Sequence, residues 1–314
     1  MSAAKKPAES KTTTAKKAPA KRRAAAAVDS AAMTASEAVD ASADAVEEAT
    51  GKKGTRVFTP TPEAKGKATR LRIIAIVLWV VAIALEVVAI FWLLRPSADE
   101  LVANQGFPQW RWWVLIGGLV VIGALSIIGS QLWKKANHLD PASTAQPVKF
   151  FIQNQLGAFI AIVAFLPLII LIFLNKDMSQ NQKLIAGLAG AVVAIGATAA
   201  GVDFSPMSQE QAAVEANVVT ALTGQDQIAW NGGDGKMHLC SEAASRAGVA
   251  NVSEGTVADA LAAGSEGLAL TFDSEMIQCG FTWPENITTA DVTQWICSAR
   301  VNPAQYAACA PYVD

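Results

Sequence analysis

Four long apolar runs, over residues 73–94, 113–133, 156–174 and 184–202, constrain this chain more than any other feature. Each is about as long as the roughly 20 residues that carry a helix, at about 1.5 Å per residue, across a hydrocarbon core about 30 Å thick. The fourth is rich in Gly and Ala and is the weakest of the set. The sequence therefore predicts a membrane all-α protein, a four-transmembrane-helix bundle over 73–203. A disordered basic N-terminal tail over 1–72 and a small acidic α+β domain over 204–314 flank it. No apolar run lies near Met1, so the first span, rather than a cleavable signal peptide, is expected to direct insertion.

The formal net charge of −2 hides an asymmetry. Residues 1–72 hold 15 Lys and Arg against 8 Asp and Glu, a net of +7, whereas residues 204–314 hold 3 against 13, a net of −10. Basic residues close to a span collect on the cytoplasmic side. Lys65, Lys67, Arg70 and Arg72 precede the first span, and Lys134, Lys135 and Lys149 follow the second. The other loops mix Arg95, Arg111, Lys176 and Lys183 with acids. A multi-pass protein of the cell membrane with both termini cytoplasmic is expected, although the C-terminal tail carries no Lys or Arg between Lys183 and Lys236. Tryptophans suit the head-group level: Trp92, Trp110, Trp112 and Trp113 at the outer surface, Trp133 at the inner one.

The first residues, "SAAKKPAESKTTTAKKAPAKRRAAAA", carry no large apolar side chain and cannot offset chain entropy by burial, so they are expected to be disordered. A merely solvated tail is the first expectation; beside a bilayer, such a tail meets anionic lipid in preference to nucleic acid. The region after Asp203 holds enough aromatic residues for one small core. There "SPMSQEQAAVEANVVTALTG" reads as a helix, "QIAWNGGDGKMHLC" as a hairpin and "SEGTVADALAAG" as a capped helix stopped by Gly264. "LALTF" reads as a strand, and "TTADVTQWICSA" and "NPAQYAACA" as closing helices.

Two sets of residues could carry chemistry. Glu86 stands alone among apolar residues, roughly 4 Å to the outer side of its span's midpoint, with no Lys, Arg or His in the other spans. A carboxyl group there is expected to be neutral and to seek an acceptor. Pro167 has no N–H and frees the carbonyl of Val163 at a similar depth, and Gly123 could allow close approach. Glu86 is then a polar clamp, part of a proton or cation path, or a contact with another subunit. The second set is Cys240, Cys279, Cys297 and Cys309, all in the C-terminal region. In the cytoplasm they would stay reduced. Outside it, the simplest pairing is Cys297 with Cys309 and Cys240 with Cys279. His238 and Cys240 share a face if on a strand, and with Cys279 they could ligate zinc, although ordinary buried cysteines are the stronger expectation.

"VFTPTPEAKGKATRLR", "FFIQNQLGAFIAIVAFLPLIILIFLNKDM", "KMHLC" and "GTVADALAAG", in this order, resemble a group of uncharacterised actinobacterial four-span membrane proteins with a C-terminal soluble domain. The likeness covers roughly residues 57–280. It implies membrane localisation and this architecture, and brings no activity. No P-loop, GxGxxG, HExxH or GxSxG context occurs, so neither an enzyme nor a cofactor is expected. The leading expectation is a non-enzymatic membrane interaction or scaffolding protein, acting on a protein partner or a second copy of itself. A small proton-coupled or ion-conducting transporter using Glu86, and a thiol or metal sensor in the C-terminal domain, are the alternatives.

Overall fold

The computed structural model describes residues 33–246 and 251–312. Its first element is helix α1, Ala35–Thr50. Thr34 and Glu37 close a reciprocal capping box at its start, and Gly51, with φ 67°, ends it in the left-handed conformation. Ala38, Val39, Ser42, Ala45 and Val46 form a buried stripe along it. Over residues 33–72 the expectation of a disordered segment is corrected here. The stripe repeats at helical spacing and docks on a partner surface, which the segment's average polarity concealed. Residues 1–32, with the low-complexity basic stretch, lie outside the described residues.

Among the described residues four helices are long and apolar enough to cross a membrane. They are α2 (Pro62–Val88, continued by a wide π-helical turn over Ala89–Leu93), α4 (Gln109–Leu139), α5 (Pro147–Leu174) and α6 (Gln180–Gly201). Each runs beyond its apolar run, because Thr61, Pro147 and Ser179 begin helices inside the polar flanks. Ala82, Leu115, Leu119, Ile122, Phe165, Leu168 and Ile172 fill the centre, while Val80, Val120, Leu166 and Val192 point outward, as lipid contact requires.

Small residues set how closely the helices approach. A Cβ placed on Gly201 would lie 2.6 Å from the backbone nitrogen of Ala158, so α5 and α6 meet backbone to backbone at this end. At the opposite end a short helix, α3 (Ala98–Ala103), carries Glu100 to Arg111 at 3.1 and 2.8 Å. Arg111 also donates to the carbonyl of Trp92 and lies between the rings of Trp92 and Trp110 at 5.2 and 5.1 Å.

The C-terminal region folds as a cap over the end of the bundle where α2 begins and α6 finishes. Helix α7 (Gln209–Thr223) is tied to the α4–α5 loop: Gln209 N–H donates to Ala142 at 3.2 Å, and Ser143 and Thr144 donate to the Glu210 carboxylate. Strands β1 (Ile228–Asn231), β2 (Met237–His238) and β3 (Val252–Gly255) make an antiparallel sheet in the order β2–β1–β3. Helices α8 (Ser241–Arg246), α9 (Val257–Ala263), α10 (Phe272–Cys279) and α11 (Thr289–Ala299) follow, then 3-10 turns over Pro303–Gln305 and Ala307–Tyr312.

The hairpin and the helix stopped by Gly264 match the sequence expectation. "LALTF" is not a strand: Leu268 makes one bridge to Met237, and Phe272 starts α10. The third strand is β3, whose polar residues Ser253 and Glu254 gave no apolar alternation. "NPAQYAACA" forms 3-10 turns, not a closing α-helix.

Helix α1 belongs to the cap. Its Ala38, Val39 and Val46 share one apolar core with Val214, Val218, Leu222, Val292 and Ile296. Asn217 fixes the contact, donating to Ser42 Oγ at 3.0 Å and to the Thr55 carbonyl at 2.7 Å. Chain segments from before the first apolar helix and after the fourth thus fold together at one end of the bundle.

Candidate functional site

Glu86 lies on α2 with only 4% of its surface exposed. Its carboxyl group faces the backbone of Leu168 on α5, and its Oε1 has no hydrogen-bond partner. The residues expected around it are not there. Val163 and Pro167 are four apart and share the outward face of α5, where Val163 is 57% exposed. Gly123 faces Val193 and Phe165. Counting residues does not fix the side of the helix they occupy. The proposed clamp to Val163 is therefore corrected. A contact with another subunit is corrected too, because Glu86 is enclosed by its own bundle.

In the cap, His238 sits between two carboxylates. Its Nδ1 is 2.9 Å from Glu275 Oε1 and its Nε2 is 2.9 Å from Asp234 Oδ2. Glu275 also accepts from Leu239 N–H at 3.0 Å and from the Thr271 hydroxyl at 2.8 Å. Burial favours the neutral imidazole, but the bonds and charges of Glu275 and then Asp234 outweigh it, so the His238 pKa is raised. The ring crosslinks β2, its turn and α10.

The expected ligand set of His238, Cys240 and Cys279 is corrected. Cys240 and Cys279 are joined as a disulfide, as are Cys297 and Cys309. A sulfur in a disulfide is not a thiolate ligand. Among the described residues no group of three or more His, Cys, Asp and Glu is placed to hold a metal ion. The first bridge ties the end of β2 to the end of α10, and the second ties α11 to the last 3-10 turn.

Two further constellations were missed in the sequence. In the cap core, fully buried Glu215 accepts from Gln211 at 2.9 Å and lies 3.9 Å from Arg300. Burial pushes the Glu215 carboxyl up, against the opposing charge of Arg300. Arg300 donates to the Leu268 carbonyl at 2.9 Å and lies under the Tyr306 ring at 3.9 Å. Gly267 makes room, since a Cβ there would fall 2.7 Å from Glu215 Oε1 and its φ is 133°. Gln211 and Glu215, one turn apart among Ala and Val, were the available signal.

The second lies where bundle meets cap. Arg72 donates to Asp140 Oδ2 at 2.7 Å and to the Asp140 carbonyl at 3.0 Å. Asn137 donates to the Gln153 carbonyl at 2.8 Å and to Asn154 Oδ1 at 3.2 Å, and Trp133 Nε1 donates to the Gln153 carbonyl at 2.7 Å. Gln153 and Asn154 supply these acceptors, and the neighbouring Gln155 Nε2 donates to the Asp203 carbonyl at 3.2 Å. No protein-family model, curated protein or solved structure matches the chain.

Proposed function

We propose that the chain crosses the cell membrane four times and is a non-enzymatic interaction protein that presents its cap on the cytoplasmic face to a protein partner or a second copy. The supporting observation is the cap itself. Segments from both sides of the bundle build it, and its buried His238, Glu275, Glu215 and Arg300 are engaged with one another's neighbours rather than with an open cleft. The cytoplasmic assignment rests on Lys65, Lys67, Arg70, Arg72, Lys134, Lys135 and Lys149 at the capped end, against Arg95, Arg111, Lys176 and Lys183 at the other. The basic residues before Met33 suit anionic lipid on that face.

Proton flux in vesicles tests this against transport through Glu86. The interaction reading predicts the same flux as in empty vesicles for the wild type and for Glu86→Gln. Flux in the wild type that disappears in a folded Glu86→Gln protein overturns it.

One observation favours adding thiol control. Both cysteine pairs are bonded in the structure, and on the cytoplasmic reading this face lies in a reducing compartment, where disulfides are mostly transient and redox-responsive. Alkylating thiols in intact cells before lysis should find all four cysteines reduced at rest and bridged after a mild oxidant. Constant oxidation at rest would put the cap outside and overturn the orientation.

A further inference from the structure

Beside the Arg72–Asp140 pair, at the capped end, a groove of about 800 Å³ opens towards the surface of the bundle. The ring of Trp133 is its floor, and Val148, Ile152 and Leu156 on α5 form one wall. Val148 is 72% and Ile152 51% exposed, so the groove opens on the surface that the four-span reading gives to lipid. An apolar groove at that level is filled by lipid or by another apolar chain.

Charge decides between occupants. The Arg72 guanidinium stands over the Trp133 ring at 5.9 Å. Asp140 accepts from both terminal nitrogens of this guanidinium, through its carboxylate and its carbonyl, and the buried Nε has no partner. Lys149 lines the same groove, is exposed, and takes part in no ion pair among the described residues. No side chain caps the start of α5, so the first-turn N–H groups of Val148 and Lys149 lie open next to that ammonium group. The mouth of the groove is therefore cationic and rich in donors, and its depth is apolar. This is the charge and polarity order of a phospholipid with a net negative head group.

We propose that this groove is a binding site for an anionic phospholipid of the leaflet on the capped side. The phosphate lies between Lys149 and Arg72, and an acyl chain runs along Trp133, Ile152 and Leu156. The site is distinct from any attraction of lipid to the N-terminal basic tail, because it uses the start of α5 and the end of α4.

The test uses full-length protein in detergent with an equimolar mixture of phosphatidylglycerol and phosphatidylcholine of identical chains. Lipid that stays bound through purification is measured by mass spectrometry. The wild type should retain phosphatidylglycerol preferentially. Lys149→Gln should lower that retention roughly fivefold, the loss of one basic contact near a membrane surface. Ile152→Trp, which fills the groove and leaves both cations in place, should abolish it. Both variants should unfold at the wild-type temperature, since neither side chain is buried. Equal retention of the two lipids by the wild type would overturn the proposal, as would undiminished phosphatidylglycerol in Lys149→Gln or Ile152→Trp. Displacement of the lipid by inorganic phosphate would likewise overturn it, by showing a free-anion site.

Discussion

Bundle and cap place buried charge in opposite ways. In the cap, the Glu275 carboxylate accepts from His238, Leu239 N–H and Thr271, and Arg300 lies between Glu215, the Leu268 carbonyl and the Tyr306 ring. In the bundle, Glu86 is nearly as buried and takes part in no ion pair among the described residues; one of its oxygens has no partner, as is also true of Glu215 Oε2 and of Arg300 Nε and Nη1 in the cap. The bundle is held by shape, through contacts such as Gly201 against Ala158. In its bridged form the cap is held by two covalent staples and a polar network. A small domain with a modest apolar core gains from such additions, while apolar helices in lipid associate through close packing.

The largest expected effect separates the two regions by reduction. The bridges close separations of 39 and 12 residues, which correspond to roughly 4 and 3 kcal/mol of chain-entropy stabilisation. Reductant should therefore lower the unfolding temperature of the cap, followed by tryptophan fluorescence and proteolysis at α11, and leave helix content in the bundle unchanged. A bundle that melts with the cap would show that they are one cooperative unit.

Next in size is Gly201→Ala, which forces a methyl group onto the backbone of α5 and should destabilise the bundle by about 1–3 kcal/mol. Thermal denaturation in detergent measures it. An unchanged midpoint would mean that α5 and α6 are not in backbone contact.

Glu86→Leu should act in the opposite direction. Removing an unpartnered polar oxygen from the interior is expected to stabilise the bundle by about 1 kcal/mol, read in the same melt. A loss of stability would restore a hydrogen-bonded role for Glu86.

The smallest effect is pH dependence in the cap. Burial opposes the His238 charge, but Glu275 and Asp234 raise its pKa above the value of about 6.5 in an unfolded chain. The stabilisation is complete below that value and is lost as pH climbs through the raised folded one. Cap stability should thus fall from near neutral pH upward in the wild type, and this slope should be absent in His238→Gln.

How much of this was legible follows from the kind of signal each feature left. The four apolar helices were plain, because about 20 consecutive apolar residues have few other uses. Caps were equally readable: Thr256 and Asp259 box the start of α9, and Gly264 ends it. Pairing across the fold was not. Helix α1 needed knowledge of the surface formed by Val214, Val218 and Val292 to become more than a polar segment. Around Glu86, Val163 and Pro167 face outward through helical phase, which a count of residues along the helix does not fix. Strand β3 is read only from its partner β1, since its own residues are mostly polar.

The central claim is that Ala35–Thr50 and the C-terminal region share one face of the membrane as a single cap. It is tested most directly with a reporter active only in the cytoplasm, fused before Met1 in one protein and after Asp314 in another. The account predicts activity from both proteins. Activity from one end alone contradicts it, because an odd number of crossings would separate α1 from the helices on which it packs.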